Sequence, residues 1–246
     1  MTKTSIDIES TKFLINGHPT YSAIEGSNQD THGLLMNARF IQGIFDDRAA
    51  PERFARWGHA AWDATAQTQR LVEALPLWHA HGLRAFTVGL QGGGPCFTVN
   101  NATIDNNPFG EDGKQLDPAY AERMDRLIRG ADAAGMVVIV SYFYGAQTRR
   151  LRDGRALRAA VTHASRVLKE GGYTNVLIED EEGNVTRMDD AERVQRVEEA
   201  VADELERLCG EAEVLPGVLG AAVELELALL PGEEVEETLP DLPRDV

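Results

Sequence analysis

The sequence predicts an α/β protein built on a parallel sheet. Four near-continuous apolar runs begin near residues 34, 84, 136 and 175, and amphipathic segments separate them. Runs without polar alternation suit strands buried on both faces, which need a covering of helices. The segments that follow the runs are long, whereas the returns from helix to run take one to a few residues. In parallel α/β folds the carboxyl ends of the strands carry the sites, so the long segments mark the expected functional surface.

The elements follow in order. Phe13–Ser22 holds two short β-prone runs around Asn16-Gly17, a hairpin signal. Leu34–Ile41 is the first buried strand. Gln67–His81 is helical, with Leu71, Leu75 and Trp78 on one face, weakened by Pro76 and stopped by Gly82. Arg84–Leu90 is the second strand. Asp117-Pro118 opens the next helix, with Asp as N-cap and Pro at the first helical position, and Gly135 closes it. Met136–Tyr144 is the clearest buried strand. Gly154–Glu170 is a third helix closed by Gly171-Gly172, and Asn175–Ile178 is the fourth strand.

Beyond Ile178 the pattern changes. Asp189–Leu208 reads as an amphipathic helix, Ala221–Leu230 fits a strand or a helix, and the acidic end from Pro231 has no periodicity and is expected to be disordered. Charge marks the same break. The chain of 246 residues has a formal net charge of −16, yet residues 1–170 sum to +1 and residues 171–246 to −17. All 16 aromatic residues and all six histidines lie at or before Tyr173. The expected organisation is therefore 1–179, an acidic segment 180–230 and a tail 231–246.

Composition also excludes partners. Nucleic acid and anionic membranes need concentrated Lys and Arg, which the chain lacks, and no apolar run approaches the ~20 residues of a membrane span. Two cysteines, Cys96 and Cys209, make neither a disulfide framework nor a metal cluster. His79 and His81 bracket a helix end and need no ligand role, so neither metal nor cofactor is expected. The start, MTKTSIDIES, lacks an apolar signal core, and a cytoplasmic protein is the expectation.

The stretches FLINGHPTY, LLMNARFIQGIFDD, WDATAQT, LPLWHAHGLRAFTVGLQGGGP, AAGMVVIVSYFYGAQ and GGYTNVLIE resemble bacterial glycosidase-like TIM-barrel proteins, related to the retaining clan that includes cellulases. The resemblance covers Phe13–Glu179. It implies a (β/α)8 barrel opened by a small hairpin, with a sugar-binding cleft at the strand carboxyl ends. Only 68 residues follow Ile178, room for two further βα units where closure needs four. The barrel is thus expected to be incomplete, a hairpin plus about four βα units, with an open sheet edge that invites self-association.

A retaining glycosidase uses two carboxyl groups about 5–5.5 Å apart. The resemblance implies an acid/base Glu after the fourth strand, preceded by Asn, and a nucleophile after the seventh. Here the fourth strand runs into Ile178-Glu179-Asp180-Glu181-Glu182 with no Asn-Glu pair. Glu182 is the nearest positional candidate and Glu179 the next, while four adjacent carboxylates also read as a solvated acidic turn. Glu224 and Glu226 lie on the later strand candidate, but nothing around them resembles the family's nucleophile motif, and a solvent face explains them.

Other candidates sit at strand ends. Arg39, Gln42, Asp46 and Asp47 follow the first strand, as sugar-binding groups or as a structural Arg–Asp pair. Gln91 precedes Gly92-Gly93-Gly94, which lacks the Gly-Lys-Ser/Thr ending of a phosphate loop and suits a close backbone approach beside a cleft. Tyr142, Tyr144 and Gln147 follow the third strand, the two tyrosines on one face, either stacking on sugar rings or packing in the core. Trp57 and Trp62 carry the same two readings. The expectation is retaining hydrolysis of a glycosidic bond. The alternatives are an inactive or carbohydrate-binding barrel derivative, or a truncated or frameshifted chain without activity.

Overall fold

The computed structural model describes residues 4–40, 43–52, 62–91, 103–143, 147, 150–179 and, for the backbone alone, 185–187. All belong to the first of two compact units, Met1–Glu206, and the second, Arg207–Val246, lies outside them. The helix expected over Asp189–Leu208, the segment Ala221–Leu230 with Glu224 and Glu226, and the tail 231–246 fall outside the described residues.

The chain is α/β. A three-stranded antiparallel sheet comes first, formed by β1 (Ile6–Glu9), β2 (Lys12–Ile15) and β3 (His18–Pro19). Asn16 and Gly17 both turn at positive φ, 52° and 77°, the two-residue hairpin geometry that an Asn-Gly pair favours. The second sheet takes β4 (Asn37–Arg39), β5 (Ala85–Gly89), β6 (Val137–Ser141) and β7 (Val176–Glu179) in sequence order, all parallel. A short strand, β8 (Val185–Arg187), pairs antiparallel with β7. The sheet is not closed into a barrel among the described residues.

Three helices cover one face: α1 (Ala64–Ala80), α2 (Pro118–Ala134) and α3 (Gly154–Gly171). Each opens on an aspartate cap. Asp63 accepts from the Ala66 N–H, Asp117 from Ala119 and Asp153 from Ala156. Left-handed Gly135 and Gly172 end α2 and α3. α1 runs on through Pro76, which is exposed, with the loss of one ladder donor.

Strand alternation separates two cores. Phe86, Val88, Val138, Val140, Val176 and Ile178 pack against the helices. Ala85, Val137, Ile139 and Leu177 face the other way and meet Ile6, Ile8, Phe13 and Ile15 of the small sheet. The small sheet therefore covers the amino-terminal half of that second face. Ile6 N–H donates to Thr174 O at 2.9 Å, and Thr174 Oγ1 donates to Thr4 O at 2.6 Å, tying it down.

Two expectations are corrected. The first strand is only three residues long, and Leu34 and Met36, expected in its buried run, are 49% and 55% exposed. The sheet edge expected to be open, that of the fourth parallel strand, carries β8. Among the described residues it is β4 that lacks an outer neighbour.

Among the described residues, acid sensitivity follows from His79 and from two cap carboxylates, Asp117 and Asp153, the latter lowered by the Ala156 N–H it accepts from. Desolvation, aided by the Arg84 guanidinium, holds His79 below the ordinary histidine value. Burial pushes Asp117 up, but hydrogen bonds from Arg48 and from the Ala119 N–H outweigh it and hold the carboxyl below its usual range. Depressed folded-state values mean that the unfolded chain binds more protons. His79 therefore costs stability as pH falls below about 6.5, and Asp117 as pH falls below about 3.9. The urea midpoint is expected to drop in two stages on acidification, and His79→Gln is expected to flatten the first alone. An unchanged first stage in that variant rejects the assignment.

Candidate functional site

The carboxyl ends of the parallel strands present polar groups on the face opposite the helices. Arg39 is in register with Thr87, and Gly89 with Ser141, which is in register with Glu179. Side chains two residues apart share a face, so Thr87 follows Ala85, Ser141 follows Ile139 and Glu179 follows Leu177. Thr87 Oγ1 donates to Asn37 Oδ1 at 3.3 Å, which links the floor to β4.

Arg39 and Glu179 meet across this surface. Arg39 Nη2 lies 4.0 Å from Glu179 Oε2, with the arginine side chain 70% exposed and the glutamate 15%. In a flat sheet, strands about 4.8 Å apart would put β4 and β7 roughly 14 Å from one another. The ion pair therefore reaches across the two intervening strands, β5 and β6, by the length of its side chains. Glu179 Oε2 is buried and has no hydrogen-bond partner, since the guanidinium stands beyond bonding distance.

Gln91, Asp47 and Gln147 occupy a different setting. All three are fully buried. Gln91 Nε2 donates to Asn107 Oδ1 at 3.0 Å and to Gln147 O at 3.2 Å, and its N–H donates to Tyr142 O. Asp47 Oδ1 accepts from the N–H groups of Ala49 and Asp105. Asp46 offers its N–H to Asn106 Oδ1, accepts from the Tyr120 hydroxyl at its carbonyl, and holds its carboxylate 3.9 Å from Arg48 Nε. These groups fasten the segments that follow β4, β5 and β6 to one another. Buried loop backbone must find partners, and these side chains supply them.

Tyr142 also faces away from the strand-end surface. It is 3% exposed, lies in the helix-side core, and its hydroxyl bonds Ser165 Oγ at 2.8 Å on α3. Trp62 stacks edge-on to Phe45 at 5.5 Å beside Ile104. Glu182, Trp57, Tyr144 and Gln42 fall outside the described residues. The structure thus brings Arg39 and Glu179 together on one surface and sets Asp46, Asp47, Gln91 and Gln147 in a loop clamp.

Thr87 and Ser141 were not singled out from sequence, although each lies two residues from an apolar position of the same strand face. A separate groove of about 710 Å3 lies beside β4, lined by Tyr21, Ile24, Met36, Phe40, Trp78 and Leu83 among others. No group of three His, Cys, Asp or Glu side chains among the described residues could hold a metal ion. Among the same residues no helix is long and apolar enough to cross a membrane.

No protein-family model matches the chain, and no curated protein matches it at a significant level.

Proposed function

We propose that the protein is a glycosidase-like half-barrel that binds carbohydrate at the strand carboxyl ends, with Glu179 and Arg39 holding sugar hydroxyls. The reading is supported by one observation above the others. A carboxylate oxygen is buried at the surface's floor without a donor, 4.0 Å from an exposed guanidinium. A carboxylate accepts from hydroxyls and a guanidinium donates to them, and charge-assisted bonds of both kinds are the stronger class. Trp57 is the proposed aromatic face for the sugar ring.

Hydrolysis is the extension of this reading. Retention needs a second carboxylate about 5–5.5 Å from the first. Glu179 and Glu182 remain the candidates for the acid/base, and the nucleophile is unassigned. Binding therefore stands as the primary function and turnover as the secondary one.

The test is calorimetric titration of the full chain with a glycan panel, alongside turnover of aryl glycosides. Native protein is expected to bind at least one glycan, and Glu179→Gln to weaken binding by roughly tenfold, about 1.4 kcal/mol. Absence of binding across the panel rejects the proposal. Turnover abolished by Glu179→Gln or Glu182→Gln assigns the acid/base, and turnover indifferent to both removes these residues from catalysis.

A further inference from the structure

We infer that the strand-end site takes a neutral sugar through a vicinal diol and discriminates against sugar acids and amino sugars. This rests on the carbohydrate reading above and adds the class of sugar to it. Arg39 and Glu179 carry opposite charges 4.0 Å apart, so together they present a dipole and not a net charge.

Each member of the pair has unused capacity of one kind. Glu179 Oε2 is buried with no hydrogen-bond donor and accepts only. The Arg39 side chain is 70% exposed, and its guanidinium donates only. A ligand that satisfies both must place a donor and an acceptor side by side. Two hydroxyls on adjacent ring carbons do this, one O–H donating to Glu179 and the neighbouring oxygen accepting from Arg39. Ser141, on the same strand face and in register with Glu179, adds a neutral hydroxyl and no charge.

A charged substituent meets a penalty whichever way it enters. A uronic carboxylate bonded to Arg39 brings a second anion against the buried Glu179 oxygen. A sugar ammonium bonded to Glu179 brings a second cation against Arg39. Like charges at such spacing cost more in a partly buried site than in water. A neutral diol keeps the pair balanced, and its binding does not depend on long-range attraction that salt would screen.

The experiment titrates the full chain with the methyl glycosides of glucose, galactose and mannose, and with the uronic acid and 2-amino counterpart of each, at low and high salt. The fully O-methylated glycosides, which keep acceptors and lose donors, serve as the control. At least one neutral glycoside is expected to bind roughly tenfold tighter than its charged counterparts, with little change on adding salt, and its O-methylated form is expected not to bind. Tighter binding of a uronide or an amino sugar, or a marked loss of neutral-sugar binding in salt, overturns the inference and leaves the carbohydrate reading standing. Equal binding of the O-methylated form removes Glu179 as acceptor and overturns the diol. Failure of every sugar to bind overturns the carbohydrate reading and the inference with it.

Discussion

Gly113→Ala is expected to be the most destabilising small substitution among the described residues. Gly113 turns at φ +70°, in the segment between β5 and α2. A Cβ added there would lie 1.8 Å from Ala156 O, 2.7 Å from Ala156 C and 2.9 Å from Ala160 N. Those are backbone atoms of α3, and by spacing Ala156 O and Ala160 N are partners in the helical ladder. Nothing at that contact is a flexible side chain that could swing aside. Left-handed backbone costs a Cβ about 1–2 kcal/mol and forced packing about 1–3 more, so a loss of roughly 2–5 kcal/mol is expected. That is a large share of the ~5–15 kcal/mol that holds a typical domain together. Gly110 provides the control, with φ +66° and nothing within 4 Å of its built Cβ. Gly110→Ala should therefore cost only the backbone part, about 1–2 kcal/mol. Urea unfolding followed by circular dichroism separates the two. Equal losses would show that α3 does not approach Gly113 as closely as described.

Local chemistry was legible in the sequence wherever one residue decides the outcome. Asn16-Gly17 marks its turn because both positions adopt positive φ. Asp117, Pro118 and Gly135 mark the ends of α2 because each satisfies or removes an orphan backbone group. The parallel order was legible because strands buried on both faces carry unbroken apolar runs. The same property hid the phase of the strands. Val137 and Ile139 are apolar on one face, Val138 and Val140 on the other, so nothing in the run says which face Tyr142 joins. It joined the helices.

Tertiary choices were harder to read. Asp47, Gln91 and Gln147 are polar residues in loops, and from sequence they pass for ligand groups. Their role as a clamp depends on Asn107 and Asp105 arriving beside them. Arg39 and Glu179 were each named, but their pairing across 140 positions depends on the order and facing of the strands that carry them. β8 is three residues whose pairing is dictated by β7. β1 did carry a signal, since Ile6-Asp7-Ile8-Glu9 alternates apolar and acidic as a half-buried strand should.

Arg123 carries the second large expectation, because it connects α2 to the segment that follows Arg39. Its side chain is buried at 4% exposure, its Nε donates to Ile44 O at 3.0 Å, and its guanidinium lies 4.4 Å from the centre of the Tyr120 ring. Burial, with the Asp46 carboxylate nearby, raises Tyr120 well above the ordinary phenol value, so the ring partner is neutral across the physiological range. Arg123→Ala leaves a cavity and strands the buried Ile44 carbonyl, and a loss of about 2–4 kcal/mol is expected. The native arrangement is itself imperfect, since Arg123 Nη2 is buried without a hydrogen-bond partner. Arg123→Met strands the same carbonyl but removes the unpartnered donor and the buried charge and keeps most of the side-chain volume, so it should cost less than the alanine variant, about 1–3 kcal/mol. A methionine variant as unstable as the alanine variant would mean that the bond to Ile44, and not the packing, holds the segment. Arg123 makes its bond to Ile44 and not to Arg39 or Glu179, so a stable Arg123→Met protein is expected to match the native chain in the proposed sugar-binding titration. A stable variant that had lost binding would instead place the Ile44 segment in control of where Arg39 stands.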